Sequence, residues 1–208
     1  MGGEISVFQM NEIQTLILPN DPVEQLWLRC IQGEKKALAE IATVLYKPLY
    51  HYGTKFTRDQ ELIRDCIQDL FLEVWEKRTQ MQTVRNPRSY LFRSFRNNLL
   101  RRERTAARFT DVFVANEEYI ILYDEAEWLV ADEPSEDDER VRKFLAQLPK
   151  RQREALYLRY YENLTYEEIA GVMGLQRQAV ANYIQYGLRK LREYWQQVVV
   201  SLLCFLFG

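Results

Sequence analysis

Apolar residues recur three and four positions apart along most of this chain, the spacing of one face of an α-helix. The clearest case is a helix predicted over residues 60–77, whose apolar side is formed by Ile63, Cys66, Ile67, Leu70 and Val74. Further helices are predicted from Pro22 to near Gly33, from Glu34 to about Lys55, and from Pro87 to about Arg104. Strand-like alternation of any length is missing, so the sequence predicts an all-α fold.

The pattern divides into two small helical domains joined by an acidic linker. We predict a flexible N-terminus at 1–20, an N-terminal domain at 21–104, a linker at 105–137, a four-helix C-terminal domain at 138–195 and an apolar tail at 196–208. Pro149 fits the first turn of the second helix of the C-terminal domain.

Two short amphipathic segments surround Gly174 in the C-terminal domain. Thr165 and Glu168 form a capping box, which predicts a helix from Tyr166 that ends at the glycine. A second helix is predicted from near Arg177, with its inner side formed by Val180, Ile184, Leu188 and Leu191. This is the pattern of a helix-turn-helix, whose second helix can lie in a DNA major groove. An ordinary helical hairpin is the alternative.

The charge of the chain is strongly segregated. The 208 residues are 47% hydrophobic and 28% charged, with a net charge of −2. Residues 109–139 hold twelve acidic residues and no Lys or Arg, whereas residues 85–108 hold eight Arg and one Glu. Basic blocks bind phosphate by releasing its counterions, so the segregation favours a nucleic-acid partner despite the acidic average.

The helix predicted at 60–77 has an unusual outer face. Leu72 lies there among polar and acidic side chains, namely Asp65, Gln68, Asp69 and Glu76. An apolar centre with a charged rim is typical of a protein docking surface. A solvated face with one stray leucine is an equal alternative. A metal site formed by Asp65 and Asp69 is a weaker one, because no other ligand is near in sequence.

The helix predicted from Pro87 alternates arginine with Tyr90, Phe92 and Phe95, and Asn97 and Asn98 follow. Arginines can bind a single strand's backbone while aromatic rings stack on its bases. The alternative places Tyr90, Leu91, Phe95 and Leu99 in the core and the arginines in solvent. We expect both to hold, with some aromatic rings buried and an arginine face left for binding.

Cysteine and histidine usage argues against a metal or disulfide protein. Cys30, Cys66 and Cys204 are far apart, and His51 is the single histidine, so no zinc site, metal or cofactor is predicted. Free thiols indicate the reducing cytoplasm. The N-terminus carries no secretion signal pattern, and the apolar run at 198–207 is about half a bilayer span, so no transmembrane segment is expected. This run is expected to pack on its own domain or on a partner.

Four segments in this order resemble the extracytoplasmic-function group of bacterial sigma factors, in the sigma-70 family. They are DCIQDLFLEVWEKR (65–78), NPRSYLFRSFRNNLL (86–100), the acidic linker, and LPKRQREALYLRYYENLTYEEIAGVMGLQRQAVANYIQYGLRKLRE (148–193). The resemblance covers about 22–195. It implies a transcription initiation factor without an active site of its own, whose partners are RNA polymerase core, promoter DNA and an anti-sigma factor.

The resemblance also implies roles for individual residues. Docking on the polymerase falls to Asp65, Gln68 and Asp69, and Leu72 completes that face. Binding of the melted minus-10 element falls to Arg93, Arg96, Asn97 and Asn98. Reading of the minus-35 element falls to Gln178, Asn182, Tyr183 and Tyr186. Helical spacing adds Arg177 to the reading surface, and Arg189 and Lys190 as phosphate contacts.

Two departures from the family pattern and two rival functions remain open. Gln176 stands where a Ser or Thr cap is usual, and the middle of the second helix is Ala-Asn-Tyr rather than basic. A freestanding helix-turn-helix regulator would bind its operator without polymerase. A nucleic-acid enzyme such as a transposase would use Asp65 and Asp69 as metal ligands.

Overall fold

The computed structural model describes residues 21–109, 145 and 147–207, and these are helical throughout apart from short turns. The helices are α1 (Pro22–Ile31), α2 (Lys35–Gly53), α3 (Gln60–Lys77), α4 (Pro87–Phe109), α5 (Lys150–Tyr160), α6 (Tyr166–Met173) and α7 (Arg177–Phe207), with a single 3₁₀ turn at Arg78–Gln80. The described residues contain no strand, which confirms the all-α prediction. The predicted N-terminus and most of the acidic linker lie outside the described residues.

The ends of the helices are set by capping hydrogen bonds and by the conformation of nearby residues. The Asp21 carboxylate accepts a hydrogen bond from the Val23 amide at the start of α1, and the Asp59 carboxylate does the same for the Leu62 amide in α3. Gly33, with φ +99°, makes the turn between α1 and α2, in a conformation that a side chain would disfavour. Only α4 departs much from its predicted bounds, since it runs five residues beyond Arg104.

Helices α1 to α4 surround a dense apolar core. The buried face of α3 contains the five residues predicted for it. Large aromatic rings from α1, α2 and α4 complete this core, namely Trp27, Tyr52, Phe92 and Phe95. Gly53 lies at a close helix contact, because a Cβ atom there would lie 2.8 Å from Ile63 and 3.0 Å from Phe95. The end of α2 therefore contacts both α3 and α4 closely.

The second set of helices, α5 to α7, packs against α4 of the first set. Helix α6 lies along α4, and buried side chains of both sets form one continuous apolar cluster. The predicted domain boundaries near residues 104 and 138 stay a prediction, because 110–144 is not described. Pro149 precedes the first residue of α5 as its N-cap, rather than lying within its first turn.

Helix α7 continues without interruption from Arg177 to Phe207. The predicted boundary between the C-terminal domain and the apolar tail, at residue 195, therefore falls inside one helix. No described helix combines the length and hydropathy that a membrane crossing requires.

Candidate nucleic-acid interface

The turn between α6 and α7 forms as the sequence predicted. The Thr165 hydroxyl accepts from the Glu168 amide, and the Glu168 carboxylate accepts from the Thr165 amide at 2.7 Å. Gly174 ends α6 with φ +66°, a left-handed conformation that glycine adopts without strain. Ala170 is buried, so the two helices of this helix-turn-helix approach closely. The turn fixes which side of α7 faces solvent.

A polar stripe runs along the solvent side of α7. Gln178, Asn182, Gln185 and Arg189 are all exposed, and their spacing of three and four residues places them on one line. The Gln178 side-chain amide donates to Asn182 Oδ1 at 3.1 Å, so these two amides lie next to each other. Such amides can form paired hydrogen bonds with an adenine edge in a major groove. We refer to these four residues as the α7 stripe.

The opposite side of α7 packs on α5. Gly187 is buried there, and a Cβ atom at this position would lie 2.7 Å from Cδ1 of Leu156. Val180 and Ile184 are fully buried as predicted, but Leu188 is 38% exposed, so its predicted inward position is wrong. Gly187 lies at the inner position instead, where Leu156 of α5 leaves too little room for a Cβ atom.

The other predicted reading residues of α7 differ in their surroundings. Tyr186 is exposed, and the guanidinium of Arg189 lies 5.2 Å from the centre of its ring. Tyr183 is half-buried against the core. Arg177 forms an exposed ion pair with Glu167 of α6, and Lys190 bonds Glu193 at 2.8 Å. Gln185 completes the α7 stripe, although the sequence reasoning did not select it; its i+3 spacing from Asn182 was the available signal.

The four residues of α4 that were predicted to bind the minus-10 element differ in their exposure to solvent. Arg93 and Asn97 are exposed, and Asn98 is half-buried and accepts a hydrogen bond from Arg101 at 3.0 Å. Arg96 is only 7% exposed. The structure therefore does not place the four predicted residues on one accessible surface.

Three aromatic residues of α4 belong to the core rather than to its solvent face, namely Tyr90, Phe92 and Phe95. Phe92 and Phe95 are fully buried, and Tyr90 packs edge-on against Trp27 with ring centres 6.0 Å apart. The solvent side of α4 instead carries Arg93, Asn97, Arg101 and Arg104 at helical spacing. We call these four residues the α4 stripe; the arginine-rich composition signalled Arg101 and Arg104, which the sequence reasoning did not select.

Arg96 is held by a buried carboxylate from α5. Its Nε donates to Glu154 Oε1 at 2.6 Å, and the Tyr52 hydroxyl donates to the same oxygen at 2.7 Å. Burial is the largest single effect and acts to lower the pKa of Arg96, but the charge of Glu154 and the hydrogen bonds to Glu154 and Tyr52 together outweigh it, so the pKa is raised. Burial and the charge of Glu154 also raise the pKa of Tyr52 well above its usual value. The arginine is therefore charged and the tyrosine neutral.

The predicted docking face of α3 lies in solvent. Leu72 is 53% exposed, and Asp65 and Gln68 are exposed beside it. Asp69 forms an ion pair with Arg102 of α4, a partner that the sequence did not reveal. Within the described residues, no group of three or more His, Cys, Asp or Glu is arranged to hold a metal ion.

Two family descriptions match the two sets of helices. Sigma-70 region 2 matches residues 42–109, and Sigma-70, region 4 matches residues 138–191. Together they account for more than half of the chain. The chain belongs to the sigma-70 family. It is a sigma factor of the extracytoplasmic-function group, a regulatory factor that directs RNA polymerase in transcription initiation.

Curated relatives of this sigma factor span most of its length. The ECF RNA polymerase sigma factor SigL of Mycobacterium tuberculosis is 26% identical over 178 residues, which cover 82% of this chain and 98% of the relative. The RNA polymerase sigma factor SigZ of Bacillus subtilis is 23% identical over 154 residues, which cover 71% of this chain and 81% of that protein.

Two solved structures share the fold of this sigma factor. CnrH in complex with the cytosolic domain of CnrY has a TM-score of 0.56 and 22% identity, and covers 85% of this chain and 99% of that one. The sigma factor RpoE in complex with the anti-sigma factor NepR from Bartonella quintana has a TM-score of 0.54 and 20% identity, and covers 77% and 98%.

Proposed function

We propose that this sigma factor uses two surfaces for two parts of a promoter. The α7 stripe reads duplex DNA of the minus-35 element, and the α4 stripe holds the melted strand of the minus-10 element. The observation that carries the proposal is the solvent-facing line of Gln178, Asn182, Gln185 and Arg189, directly across the helix from the packing contact at Gly187. The three side-chain amides of this line can form hydrogen bonds with base edges, and the arginine at its end can bind a phosphate.

The α4 stripe supports the second part of the proposal by charge. Arg93, Arg101 and Arg104 are exposed on one side of the helix, with Asn97 between them. Three exposed arginines on one side of a helix favour a phosphate backbone as the partner, because binding them releases the counterions of the nucleic acid. Since Phe92 and Phe95 are buried, base stacking on this helix is not part of the proposal.

The α3 face is proposed to dock on polymerase core. Leu72 supplies the apolar centre, and Asp65 and Gln68 supply a polar rim of the kind found at protein interfaces. Asp69 takes part less directly, because Arg102 already neutralises it. The factor acts by binding, in the cytoplasm where its polymerase lies, and the proposal assigns it no chemical step.

An anti-sigma factor is the proposed regulator. NepR is named as the anti-sigma factor in the solved complex of RpoE, and CnrH was solved with the cytosolic domain of CnrY. The share of this chain that each of these structures covers supports a similar partner here.

Reconstitution with polymerase core tests the function. We expect transcript starts clustered at a defined distance from a common upstream sequence, and none without the factor. Sequence-specific DNA binding by the factor alone, with no effect on core, would favour a freestanding regulator. Magnesium-dependent DNA cleavage would favour a nucleic-acid enzyme.

A pair of charge reversals tests the docking face. Asp65→Lys should weaken core binding about tenfold, equivalent to roughly 1.4 kcal/mol, because it disrupts the polar rim around Leu72. Glu24→Lys, an exposed change of equal charge on α1, should leave core binding unchanged. Asp69→Lys should also weaken core binding, but it breaks the ion pair with Arg102 and is the less clean test. Equal affinities for the two variants Asp65→Lys and Glu24→Lys would contradict the assignment.

A further inference from the structure

Helix α7 is much longer than the two helices that pack on it. Its 31 residues make it about 46 Å long, whereas α5 with 11 residues and α6 with 8 are about 16 Å and 12 Å long. The contact with α5 is at Gly187, about 30 Å before the end of α7 at Phe207. Neither α5 nor α6 is therefore long enough to follow α7 to its end.

The burial of α7 decreases along the helix. Val180 and Ile184 are fully buried, and Leu188, one turn later, is 38% exposed. Leu191 is partly buried against the core, and the next two residues, Arg192 and Glu193, are exposed. The core of the C-terminal helices thus thins out before the apolar run at 198–207 begins.

This run is apolar on nearly every side of the helix. Its sequence is VVVSLLCFLF, in which Ser201 is the one polar residue and no residue is charged. The α-helix continues through it. The six consecutive apolar residues at 202–207 make more than one and a half turns, so they occupy every side. A helix that is apolar all round is suited to an apolar medium that surrounds it, whereas a groove on a protein covers one side only.

Basic and aromatic residues precede the run in the order found at a membrane interface. Three basic residues come first and two aromatic residues follow, namely Arg189, Lys190, Arg192, Tyr194 and Trp195. Glu193 binds Lys190 at 2.8 Å, but one acid against three basic residues leaves a net charge of +2 over 189–193. Basic side chains are attracted to anionic lipids, and Tyr and Trp are enriched at the level of the headgroups.

We propose that the C-terminal part of α7 docks on a membrane surface: the run at 198–207 enters one leaflet of an anionic bilayer, and residues 189–195 lie at its headgroups. The run rises about 15 Å along the helix axis, about half the thickness of the hydrocarbon core. Burial of its apolar residues provides the attraction, and the basic segment selects anionic lipid. The inference goes beyond promoter recognition and does not depend on it.

Vesicle flotation of the full-length chain tests this docking. The probes are vesicles of phosphatidylcholine alone and vesicles of equal parts phosphatidylcholine and phosphatidylglycerol. We expect about tenfold tighter binding to the anionic vesicles, and this preference should decrease as salt is added. Flotation with neither kind of vesicle would overturn the proposal.

A pair of leucine variants tests the apolar run. Leu203→Glu puts a charge into the run and should weaken binding to anionic vesicles about tenfold or more. Leu28→Glu, the same change at a 59% exposed residue of α1, is the matched control and should leave binding unchanged. Equal losses in the two variants would show that the run is not the docking element.

A pair of charge reversals tests the basic segment. Arg192→Glu should weaken binding to anionic vesicles about tenfold and leave binding to phosphatidylcholine unchanged, because it removes attraction to the headgroups alone. Lys36→Glu, at an exposed residue of α2, is the control. Equal losses in these two variants would mean that net charge alone brings the chain to the vesicle, which overturns the assignment to α7.

Other occupants of the run give different results with the vesicle-free chain. If the wild-type chain does not float and Leu203→Glu lowers its midpoint of thermal unfolding, the run packs on its own domain. If the wild-type chain does not float and sediments as a dimer that Leu203→Glu dissociates, a second copy covers the run. Either result overturns the proposal. Transcription with polymerase core in the absence of vesicles tests the proposed function separately, so a failure of one leaves the other standing.

Discussion

Helices α4 and α7 were both predicted to bind nucleic acid, but the structure places them in different surroundings. On α7 the α7 stripe and the packing contact at Gly187 lie on opposite sides, so the helix period separates the binding face from the core with Leu188 as an exception. Helix α4 is central, and α1, α2, α3 and α6 all pack on it. The accessible surface of α4 is therefore decided by the other helices that pack on it. The sequence of a peripheral helix therefore reveals more of its free face than the sequence of a central helix does.

The largest expected effect concerns the aromatic residues of the two helices. Phe92→Ala should lower the free energy of unfolding by about 3–5 kcal/mol, because it removes a buried ring and leaves a cavity beside Tyr52. Tyr186→Ala on α7 should cost less than about 0.5 kcal/mol, because that ring is exposed. Urea unfolding followed by circular dichroism measures both. Similar losses in the two variants would remove the contrast between the helices.

A medium effect concerns base reading by α7. Asn182→Ala should change the preferred base at one or two minus-35 positions, with about 1–3 kcal/mol of discrimination lost at each. Gln185→Ala should act at a neighbouring position, since it lies one turn further along the α7 stripe. Transcription from a randomised minus-35 library by holoenzyme measures this. A uniform loss over all sequences would mean that these amides do not read bases.

A smaller effect concerns the end of the α7 stripe. Arg189→Ala should weaken all promoters about equally and lower the salt slope of binding by roughly one unit, since a phosphate contact positions without specifying. The guanidinium lies over Tyr186, which keeps it at the surface. Titration of holoenzyme binding at several salt concentrations measures the slope. A reshaped base preference would instead make Arg189 a base contact.

The smallest expected effect concerns the packing of the core beneath α4, measured through the reactivity of a buried thiol. Burial raises the pKa of the Cys66 thiol to about 11. The contribution of this thiol to stability is therefore fully present below about pH 9 and is lost as the pH rises through about 11. At pH 8.5 we expect iodoacetamide to modify Cys66 far more slowly in the native chain than in urea, by mass spectrometry. Equal rates would show that the thiol is accessible.

The sequence predicted well those features that depend only on residues within one helix or turn. The bounds of α3, its buried face, the capping box at Thr165 and the turn at Gly174 all follow from neighbours in sequence, and all are present. The sequence did not show that Arg96 and Phe92 are buried, since Glu154 and Tyr52 come from other helices. Leu188 was misplaced for the same reason. Its helical period pointed inward, but the side of α7 that packs on Leu156 of α5 carries Gly187, and Leu188 is 38% exposed.

Gly187 sets the distance between α7, the proposed reading helix, and α5. With no side chain between them, α7 rests directly on Leu156 of α5, and that distance fixes how far Gln178 and Asn182 project from the body of the protein. A methyl group at this position acts as a spacer, because Leu156 must move or α7 must lift. With α7 as the proposed reading helix, promoter preference becomes tunable from Gly187, a residue on the opposite side of the helix from the proposed DNA contacts.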